Sequence, residues 1–303
     1  MINQGLSSLK AYIELLRPPL APMDIAMPAA SALLAVYVVE GTLPPLIPFI
    51  IAVFGAYCAI TSSYVYNDCC DIDVDKVGMP SRPLPSAKLS KKQAQSWSIF
   101  LFLIALSAAL YLNPESFVAL VAATILVSIY SAWAKRTTPF SWIFVGLSYG
   151  LVPFGVWLAM EPAGILKAGT GIHPASVILA AMICITDWGF TNCDASRDVE
   201  ADRKEGIPTT PAIFGIPVTA KMVALFWLVG IALSIALGLV SGLGWIYLVA
   251  AIVSGGWLLR QNWDFVRHPT AKRGEEFFYQ SANYRAWLFA ALIIDVLLGA
   301  TLI

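Results

Sequence analysis

Two short acidic segments carry the residue types best suited to bind a metal ion. In the first, Asn67, Asp71 and Asp75 recur every four residues, and Asp68 lies beside them. If a helix runs through this segment, the three side chains share one face and present a row of hard oxygen ligands. Mg²⁺ prefers such ligands and is commonly held by one or two carboxylates together with substrate phosphates. The spacing therefore predicts a magnesium site here.

The second segment repeats this arrangement. Asp194, Asp198 and Asp202 recur at the same four-residue spacing, and the basic residues Arg197 and Lys204 lie among them. A solvated charged loop would explain one acidic run at a helix end, but it explains two matched runs poorly. A lone Ca²⁺ or structural metal site also leaves the pairing without a reason. The sequence favours a polyphosphate bridged by two Mg²⁺ ions between the two clusters, with the basic residues contacting the phosphate.

These segments interrupt a chain whose composition suits a lipid bilayer. Of its 303 residues, 58% are hydrophobic and 13% are charged, and the mean hydropathy is +0.74. Soluble domains contain about 25% charged residues. Apolar stretches of about 20 residues, long enough to cross a bilayer as helices, recur along the chain. The nine predicted spans lie at about residues 20–39, 46–67, 95–112, 115–134, 139–160, 174–193, 218–238, 242–260 and 281–303.

The charges in the connections predict the orientation of the spans. Lys and Arg residues cluster before the first span and after the second, fourth, sixth and eighth, whereas the alternate connections hold Glu40, Glu115, Glu161 and a single Lys167. The positive-inside rule then places the N-terminus and both acidic segments in the cytoplasm and the C-terminus outside a plasma or inner membrane. The first apolar run is continuous with the multi-span body, so we expect no cleaved signal peptide.

The predicted fold is all-α. Because the two acidic segments lie four spans apart on one side of the membrane, we expect two four-helix halves and a ninth helix around a central cavity. The chain is expected to form a single domain over residues 1–303. An interfacial helix is predicted at residues 1–17, and Asp-rich cap segments are predicted at residues 68–94 and 194–217.

Ionisable residues inside the spans are a separate signal, because a charge at membrane depth usually faces a cavity or a partner. Asp187 lies seven residues before Asp194, about two turns along the same helical face. It is predicted to orient or deprotonate an acceptor in the cavity, and the alternative is a hydrogen-bonded packing carboxyl. Asp24 and Asp295 follow the same logic, and Arg285 snorkels or pairs with one of these acids. Aromatic residues such as Tyr64 and Tyr149 are interpreted as core residues.

The motifs resemble those of the UbiA superfamily of intramembrane prenyltransferases. The first segment, with a following Arg-Pro-Leu-Pro-Ser sequence at residues 82–86, is similar to the first family signature. The second segment, continued by Gly206 and Thr209, is similar to the second signature. Tyr130-Ser131 with Lys135-Arg136 is similar to the basic segment after the fourth helix of the family. Where the family often has an acid three residues before Asp198, this chain has Ala195, and an Asn common after the basic pair is absent.

The resemblance implies transfer of an isoprenyl group, of geranyl to geranylgeranyl length, from an allylic diphosphate to a lipophilic acceptor in the bilayer. The residues implied to hold two Mg²⁺ ions are Asn67, Asp71 and either Asp68 or Asp75 in the first signature, and Asp198 and Asp202 in the second. The residues implied to meet the diphosphate are Tyr130, Lys135, Arg136 and Arg82. Membrane lipids surround the protein, and the net charge of zero gives no indication of a nucleic acid partner.

Several alternatives remain open from the sequence. The Tyr130-Ser131 pattern and the Arg-Pro-Leu-Pro-Ser segment look most like those of family members that make archaeal ether lipids and like those of chlorophyll synthases. The preferred acceptor is a lipid such as geranylgeranylglyceryl phosphate. An aromatic or chlorin acceptor, as in quinone or chlorophyll synthesis, is the alternative. A terpene cyclase would share the ionisation step. A cation- or phosphate-coupled transporter is a different class, but its acids are expected near the bilayer midplane and not at one rim.

Overall fold

The computed structural model describes residues 9–302, and every regular element in this range is a helix, as predicted. Residues 9–14 form a short helix, whereas residues 1–8 of the predicted interfacial helix lie outside the described residues. The nine long helices are α1 (Ala21–Glu40), α2 (Leu46–Cys70), α3 (Lys91–Leu112), α4 (Pro114–Ile129), α5 (Trp142–Met160), α6 (Pro174–Arg197), α7 (Ile216–Val240), α8 (Trp245–Arg267) and α9 (Ala271–Leu302).

Each predicted span falls on one of these helices. Within the described chain, eight helices are long and apolar enough to cross a membrane, and α8 is not among them. The polar run Arg260-Gln261-Asn262 in the second half of α8 lowers its hydropathy. The protein is therefore an integral membrane protein with eight spans supported by length and composition. The ninth span stays a prediction.

The long helices pack in chain order, and α9 closes against α1. Additional contacts join α1 to α5 and α6 to α9, so α5 and α6 meet at the centre of the bundle. The approach of α6 to α7 depends on Gly230, because a Cβ atom there would overlap the Thr186 methyl group. Close packing at small residues is typical of membrane helices. The predicted division into two related halves remains a prediction.

Two buried carboxylates have structural roles at the end of the bundle away from the acidic motifs. Asp295 accepts hydrogen bonds from the backbone N–H groups of Gly244 and Tyr247, which are unpaired donors at the start of α8. Glu115 accepts hydrogen bonds from the backbone N–H groups of Ala163 and Ile165, which lie in the connection between α5 and α6. The Ile165 nitrogen lies 2.8 Å from Glu115 Oε1. These acids fix helix ends and connections, so their burial is explained without a ligand.

The helices that carry the two acidic motifs break at matching positions. Helix α2 ends at Cys70, Asp71 has φ −104° and ψ 15°, and a cap helix follows at Ile72–Gly78. Helix α6 ends at Arg197, Asp198 has φ −91° and ψ 7°, and a second cap helix follows at Val199–Lys204. The central acid of each motif thus lies at a bend. We call the end of the bundle that carries both cap helices the motif end.

An apolar contact joins the two cap helices. Val74 of the first packs in one buried cluster with Ala201 of the second and with Ile207 beyond it. Val74 is 5% exposed and Ala201 is 4% exposed. This contact fixes the distance between the two motifs, which are more than 100 residues apart in sequence.

Candidate active site

The first motif is held in place by basic side chains from other elements. The Arg17 Nη2 atom lies 2.9 Å from Asp68 Oδ1. The Arg82 Nη1 atom lies 2.9 Å from Asp75, and so the arginine of the Arg-Pro-Leu-Pro-Ser segment folds back onto the motif. Asn67 donates a hydrogen bond of 3.3 Å to the Ser131 hydroxyl on the extension of α4.

Asp71 is the most deeply buried acid of the first motif. It is 3% exposed, and the Lys135 Nζ atom donates to its Oδ2 atom at 2.6 Å. Its Oδ1 atom has no hydrogen-bond partner among the described residues, and the Arg136 Nη2 atom is 3.9 Å away. A buried carboxylate oxygen without a hydrogen bond costs free energy unless a ligand completes it. Asp71 therefore offers one oxygen to a ligand at the motif end.

The second motif is organised around Arg197. Its guanidinium lies 2.8 Å from Asp194 Oδ1 and 2.7 Å from Asp198 Oδ2, so one basic side chain bridges two acids of the motif. Asp202 is 1% exposed and accepts a hydrogen bond of 2.8 Å from the Thr209 hydroxyl. The threonine that belongs to the second signature thus fixes its last acid.

A π-helical turn brings the basic segment into the site. The turn spans Tyr130–Ala134 and interrupts the end of α4. Residues five apart point to different faces of a regular α-helix, but the wider π turn directs Tyr130 and Lys135 to one cavity. That cavity has a volume of about 400 Å³ and is also lined by Asp194, Asp198 and Asp202. Lys135 thereby contacts the first motif while it faces the cavity of the second.

The other predicted phosphate-binding residues differ in position. Arg136 turns away from this cavity, because its guanidinium pairs with Asp73 at 2.8 Å and donates to the Cys70 carbonyl at 2.8 Å. Lys204 lies on the exposed side of the second cap helix. Arg82 and Arg197 remain at the motif end in the ion pairs described above. The structure thus brings Lys135 and Tyr130 to the cavity and leaves Lys204 outside it.

Around the two motifs, carboxylates outnumber the basic side chains that pair with them. Six carboxylates form ion pairs with five basic side chains, and a seventh, that of Asp202, accepts the Thr209 hydroxyl instead. The paired acids are Asp68, Asp71, Asp73, Asp75, Asp194 and Asp198, and the basic residues are Arg17, Arg82, Lys135, Arg136 and Arg197. Burial raises the pKa of Asp75 to about 6, against the lowering effect of Arg82. Burial also raises the pKa of Asp202 to about 6, against the lowering effect of Lys135. Crowded, buried carboxylates of this kind are stabilised by a cation.

The donor set fits Mg²⁺. Within residues 9–302, no group of three or more acidic, histidine or cysteine side chains is arranged to hold a metal ion. Mg²⁺ needs only one or two carboxylates when phosphate oxygens complete its shell. The carboxylates of each motif and the unpaired Asp71 oxygen meet that requirement.

Two further cavities continue from the motif end into the bundle. The first, which we call the inner cavity, has a volume of about 560 Å³ and is lined by Arg17, Tyr64, Asn67, Tyr149, Asp187 and Asp194 among others. Asp187 is 2% exposed, and its Oδ1 atom pairs with the Arg285 Nη1 atom at 3.2 Å. This agrees with the predicted cavity position, and it also shows the pairing with Arg285 that the sequence left open.

The second continuation, which we call the apolar cavity, lies between α2, α3, α4 and α5. Its volume is about 710 Å³, and small side chains such as Ala56, Ala105 and Ala123 line much of it. Ser63, Val127 and Tyr149 line both the inner and the apolar cavities, so the two are adjacent. A polar compartment at the motif end thus leads to a long apolar one.

Sequence reasoning missed some residues of this site. Arg17 was interpreted only as a topological charge, yet it pairs with Asp68 and lies 4.7 Å above the Tyr64 ring. Its backbone has φ 52°, which is uncommon for a residue other than glycine and often accompanies a functional constraint. The signal available in the sequence was the Arg-Pro-Pro run directly before the first span. The depth of Asp24 in a span was a signal in the sequence, but its contact with Tyr64 was not, because that contact depends on how α1 and α2 are rotated.

Comparisons with known proteins agree with these features. The sequence model of the UbiA prenyltransferase family matches residues 27–292. Digeranylgeranylglyceryl phosphate synthase of Thermococcus kodakarensis is 28% identical over 292 residues, which cover 94% of this chain and 99% of that protein. Protoheme IX farnesyltransferase of Ruthia magnifica is 30% identical over 253 residues, which cover 80% of this chain and 81% of that protein. The structure of a UbiA homologue from Archaeoglobus fulgidus bound to GPP and Mg²⁺ has a similar fold, with a TM-score of 0.59 at 18% identity, over 93% of this chain and 99% of that one.

Proposed function

Because the chain belongs to the UbiA prenyltransferase family, we propose that it transfers an isoprenyl group from an allylic polyprenyl diphosphate to a lipophilic acceptor in the bilayer and releases diphosphate. The observation that carries this proposal is the pair of acidic motifs at one end of the bundle, adjacent to cavities that run into its apolar interior. The related protein from Archaeoglobus fulgidus binds GPP and Mg²⁺, which supports a prenyl diphosphate as donor.

The two motifs divide the binding of two Mg²⁺ ions between them. The first ion is assigned to Asn67, Asp68, Asp71 and Asp75, and the second to Asp194, Asp198 and Asp202. Bound Mg²⁺ stabilises the negative charge on a departing diphosphate. Lys135 and Tyr130 are directed to the same cavity and contact the diphosphate oxygens there. Arg82 and Arg197 exchange part of their ion pairing with the acids for phosphate. Arg136, which is held by Asp73, and Lys204 contribute positive charge from the rim.

The apolar cavity is assigned to the donor chain. From Ser63 near the motif end to Ile51 at the far end, its wall follows twelve residues of α2, which correspond to about 18 Å of helix axis. This length suits a geranylgeranyl chain and leaves a shorter geranyl chain fully enclosed. Apolar walls also exclude water from the allylic cation that forms when the C–O bond breaks.

The acceptor is proposed to be a lipid hydroxyl, as in geranylgeranylglyceryl phosphate. The inner cavity offers the hydrogen-bonding groups of Tyr64, Tyr149 and Asp187, which suit an O–H nucleophile. Asp187 is assigned to orienting that acceptor. Relatives named digeranylgeranylglyceryl phosphate synthase support a lipid, and relatives named protoheme IX farnesyltransferase keep haem as the competing acceptor. An aromatic or chlorin acceptor is the remaining alternative.

The decisive experiment offers purified protein a set of acceptors. Labelled geranylgeranyl diphosphate and Mg²⁺ are incubated with geranylgeranylglyceryl phosphate, haem b, an aromatic quinone precursor or a chlorin, and the products are identified by mass spectrometry. We expect an ether product with the lipid alone. A labelled haem, aromatic or chlorin product would overturn the lipid assignment. A cyclised hydrocarbon without acceptor would indicate a cyclase, and uptake of diphosphate into vesicles without turnover would indicate a transporter.

A further inference from the structure

Asp24 is a buried carboxylate that the roles described above do not use. It lies on α1, is 0% exposed, and accepts a hydrogen bond of 2.9 Å from the Tyr64 hydroxyl at its Oδ2 atom. Its Oδ1 atom has no hydrogen-bond partner in the described part of the chain. A carboxyl group at membrane depth is costly and usually marks a functional position.

The other buried aspartates of the bundle have partners that account for them. Asp187 is paired with Arg285, and Asp295 accepts the backbone N–H groups at the start of α8. Among the described residues, Asp24 forms no ion pair, and its one hydrogen bond comes from Tyr64. The Asp24 Oδ1 atom is therefore available to a hydrogen-bond donor.

Tyr64 connects Asp24 to the place where the acceptor is expected. Its side chain lines the inner cavity together with Tyr149, one helical turn from Asn67 of the first motif. The guanidinium of Arg17 lies 4.7 Å from the centre of the Tyr64 ring and pairs with Asp68, so the ring is fixed from the motif end. Tyr64 thus lines the inner cavity while its hydroxyl donates to a buried carboxylate.

We propose that Tyr64 and Asp24 remove the proton that a hydroxyl acceptor loses during prenyl transfer. This inference rests on the proposed function and deepens it, because it specifies an O–H nucleophile. Tyr64 would contact the acceptor and is the catalytic residue. Asp24 acts through Tyr64 and is a positioning residue that stores the proton.

The step balances without a further reactant. The bond between the allylic carbon and the diphosphate oxygen breaks, and its electron pair leaves with the diphosphate. The acceptor oxygen forms the new bond to that carbon. The proton of the acceptor passes to the Tyr64 oxygen as Tyr64 gives its own proton to Asp24 Oδ2, and the proton returns to solvent after product release.

The test compares Tyr64→Phe, Asp24→Asn and the double variant with the unaltered protein, using donor, Mg²⁺ and the lipid hydroxyl acceptor. Proton transfer by a positioned side chain contributes roughly 10²–10⁴-fold. We expect each single variant to lower kcat about 100-fold or more while KM for the acceptor and donor affinity stay within about 3-fold. The double variant is expected to be no slower than the slower single variant, because residues that act as one unit are not additive. Asp24→Glu is expected to restore part of kcat.

Asp295→Asn is the matched control, since it removes another buried carboxyl of the bundle and is expected to keep wild-type kcat. Donor affinity and thermal melting show whether each variant is folded, and Asp24→Glu keeps the test available if Asp24→Asn unfolds. Wild-type kcat in Tyr64→Phe, additive losses in the double variant, or equal losses of donor binding and turnover would each overturn the relay. Product from haem but none from the lipid hydroxyl in the unaltered protein would instead overturn the proposed function.

Discussion

At the scale of single residues, the site depends on the central acid of each motif. Asp71 and Asp198 lie at the bends of their helices, where the side chain leaves the helical row and meets residues from other elements. Asp71 meets Lys135, and Asp198 meets Arg197. Each acid therefore connects a motif to a basic residue, and we expect phosphate to compete with the acid for that residue.

Asp71→Asn and Asp198→Asn are expected to lower prenyl transfer about 100-fold or more at saturating Mg²⁺, because each removes a charged ligand while keeping the side-chain size. Chelation of Mg²⁺ by EDTA should abolish activity in the unaltered protein, and added Mg²⁺ should restore it. Asp73→Asn is the matched control, since Asp73 lies between the motif positions with a half-exposed side chain. Turnover at the wild-type level in either motif variant would show that the acid does not hold metal.

Lys135 and Arg136 are adjacent in sequence but are expected to have different roles. Lys135→Gln should weaken binding of a non-hydrolysable diphosphate analogue about 10-fold or more, because its ammonium group faces the cavity of the second motif. Arg136→Gln should change this affinity less, since its guanidinium holds Asp73 and the Cys70 carbonyl. Isothermal titration calorimetry measures both. Equal affinity losses in the two variants would contradict the division.

The grouping of the two acidic motifs at one end of the bundle was predictable from the sequence, whereas most partners of their acids were not. A four-residue spacing of hard ligands is a local pattern, and it singles out Asp71 and Asp198, whose role as ligands stays a prediction. Arg17 and Asp68 are 51 positions apart, and Tyr64 and Asp24 are 40 positions apart. Such contacts depend on how whole helices are rotated and packed, which no local pattern reports.

At the scale of elements, two irregularities place the reactive side chains. The sequence predicts one row of oxygen ligands, formed by Asn67, Asp71 and Asp75, on the condition that α2 continues through the motif. The bend at Asp71 instead carries Asp75 onto the first cap helix, where Arg82 reaches it. The π turn that follows α4 likewise moves Lys135 off the face that it would occupy on a regular α-helix and directs it to the cavity of the second motif. Helix propensity cannot predict such breaks, because tertiary contacts stabilise them.

The apolar cavity is expected to set the length of the donor chain. Ala56 lines it seven residues of α2 from Ser63, which is about 10 Å of helix axis. Ala56→Phe should therefore retain turnover of geranyl diphosphate and lower kcat/KM for geranylgeranyl diphosphate about 10-fold or more, because the ring closes the far part of the cavity. Competition between the two donors measures the ratio.

Ile50→Phe is the control for this change, because Ile50 lies on the same helix with 53% of its side chain exposed, outside the cavity. It should leave the donor ratio unchanged. Ala59→Phe, placed closer to Ser63, should impair both donors. If Ala56→Phe kept the donor ratio of the unaltered protein, the apolar cavity would not select the length of the donor chain.

At the scale of the whole molecule, the membrane character of the chain was predictable because apolar length is a local property. The predicted spans fall on the nine long helices, with boundaries that differ by several residues at the motif end. Helices α2 and α6 extend beyond the apolar limits to Cys70 and Arg197, because their polar ends continue into the site. The predicted span that length and composition do not support is α8, whose second half is polar and contains the buried Asn262.

The orientation of the molecule is the last expectation. The motif end carries most of the basic residues in the connections, whereas the opposite connections hold acids and Lys167. The positive-inside rule then places the motif end in the cytoplasm, where a water-soluble diphosphate is available. Lys88→Cys, in the connection after the first cap helix, should resist a membrane-impermeant thiol reagent in intact cells and react after permeabilisation. Ile165→Cys, in the exposed connection between α5 and α6, should react in intact cells.

The unaltered protein gives the background of this measurement, because four of its five cysteines are buried and Cys70 is half-buried at the motif end. The two added cysteines lie on opposite sides of the bundle, so each is the control for the other. Labelling of Lys88→Cys in intact cells, together with protection of Ile165→Cys, would show that the orientation is opposite to the predicted one. The donor diphosphate would then have to be supplied from outside the cell, and the charge bias would have failed as a guide for this chain.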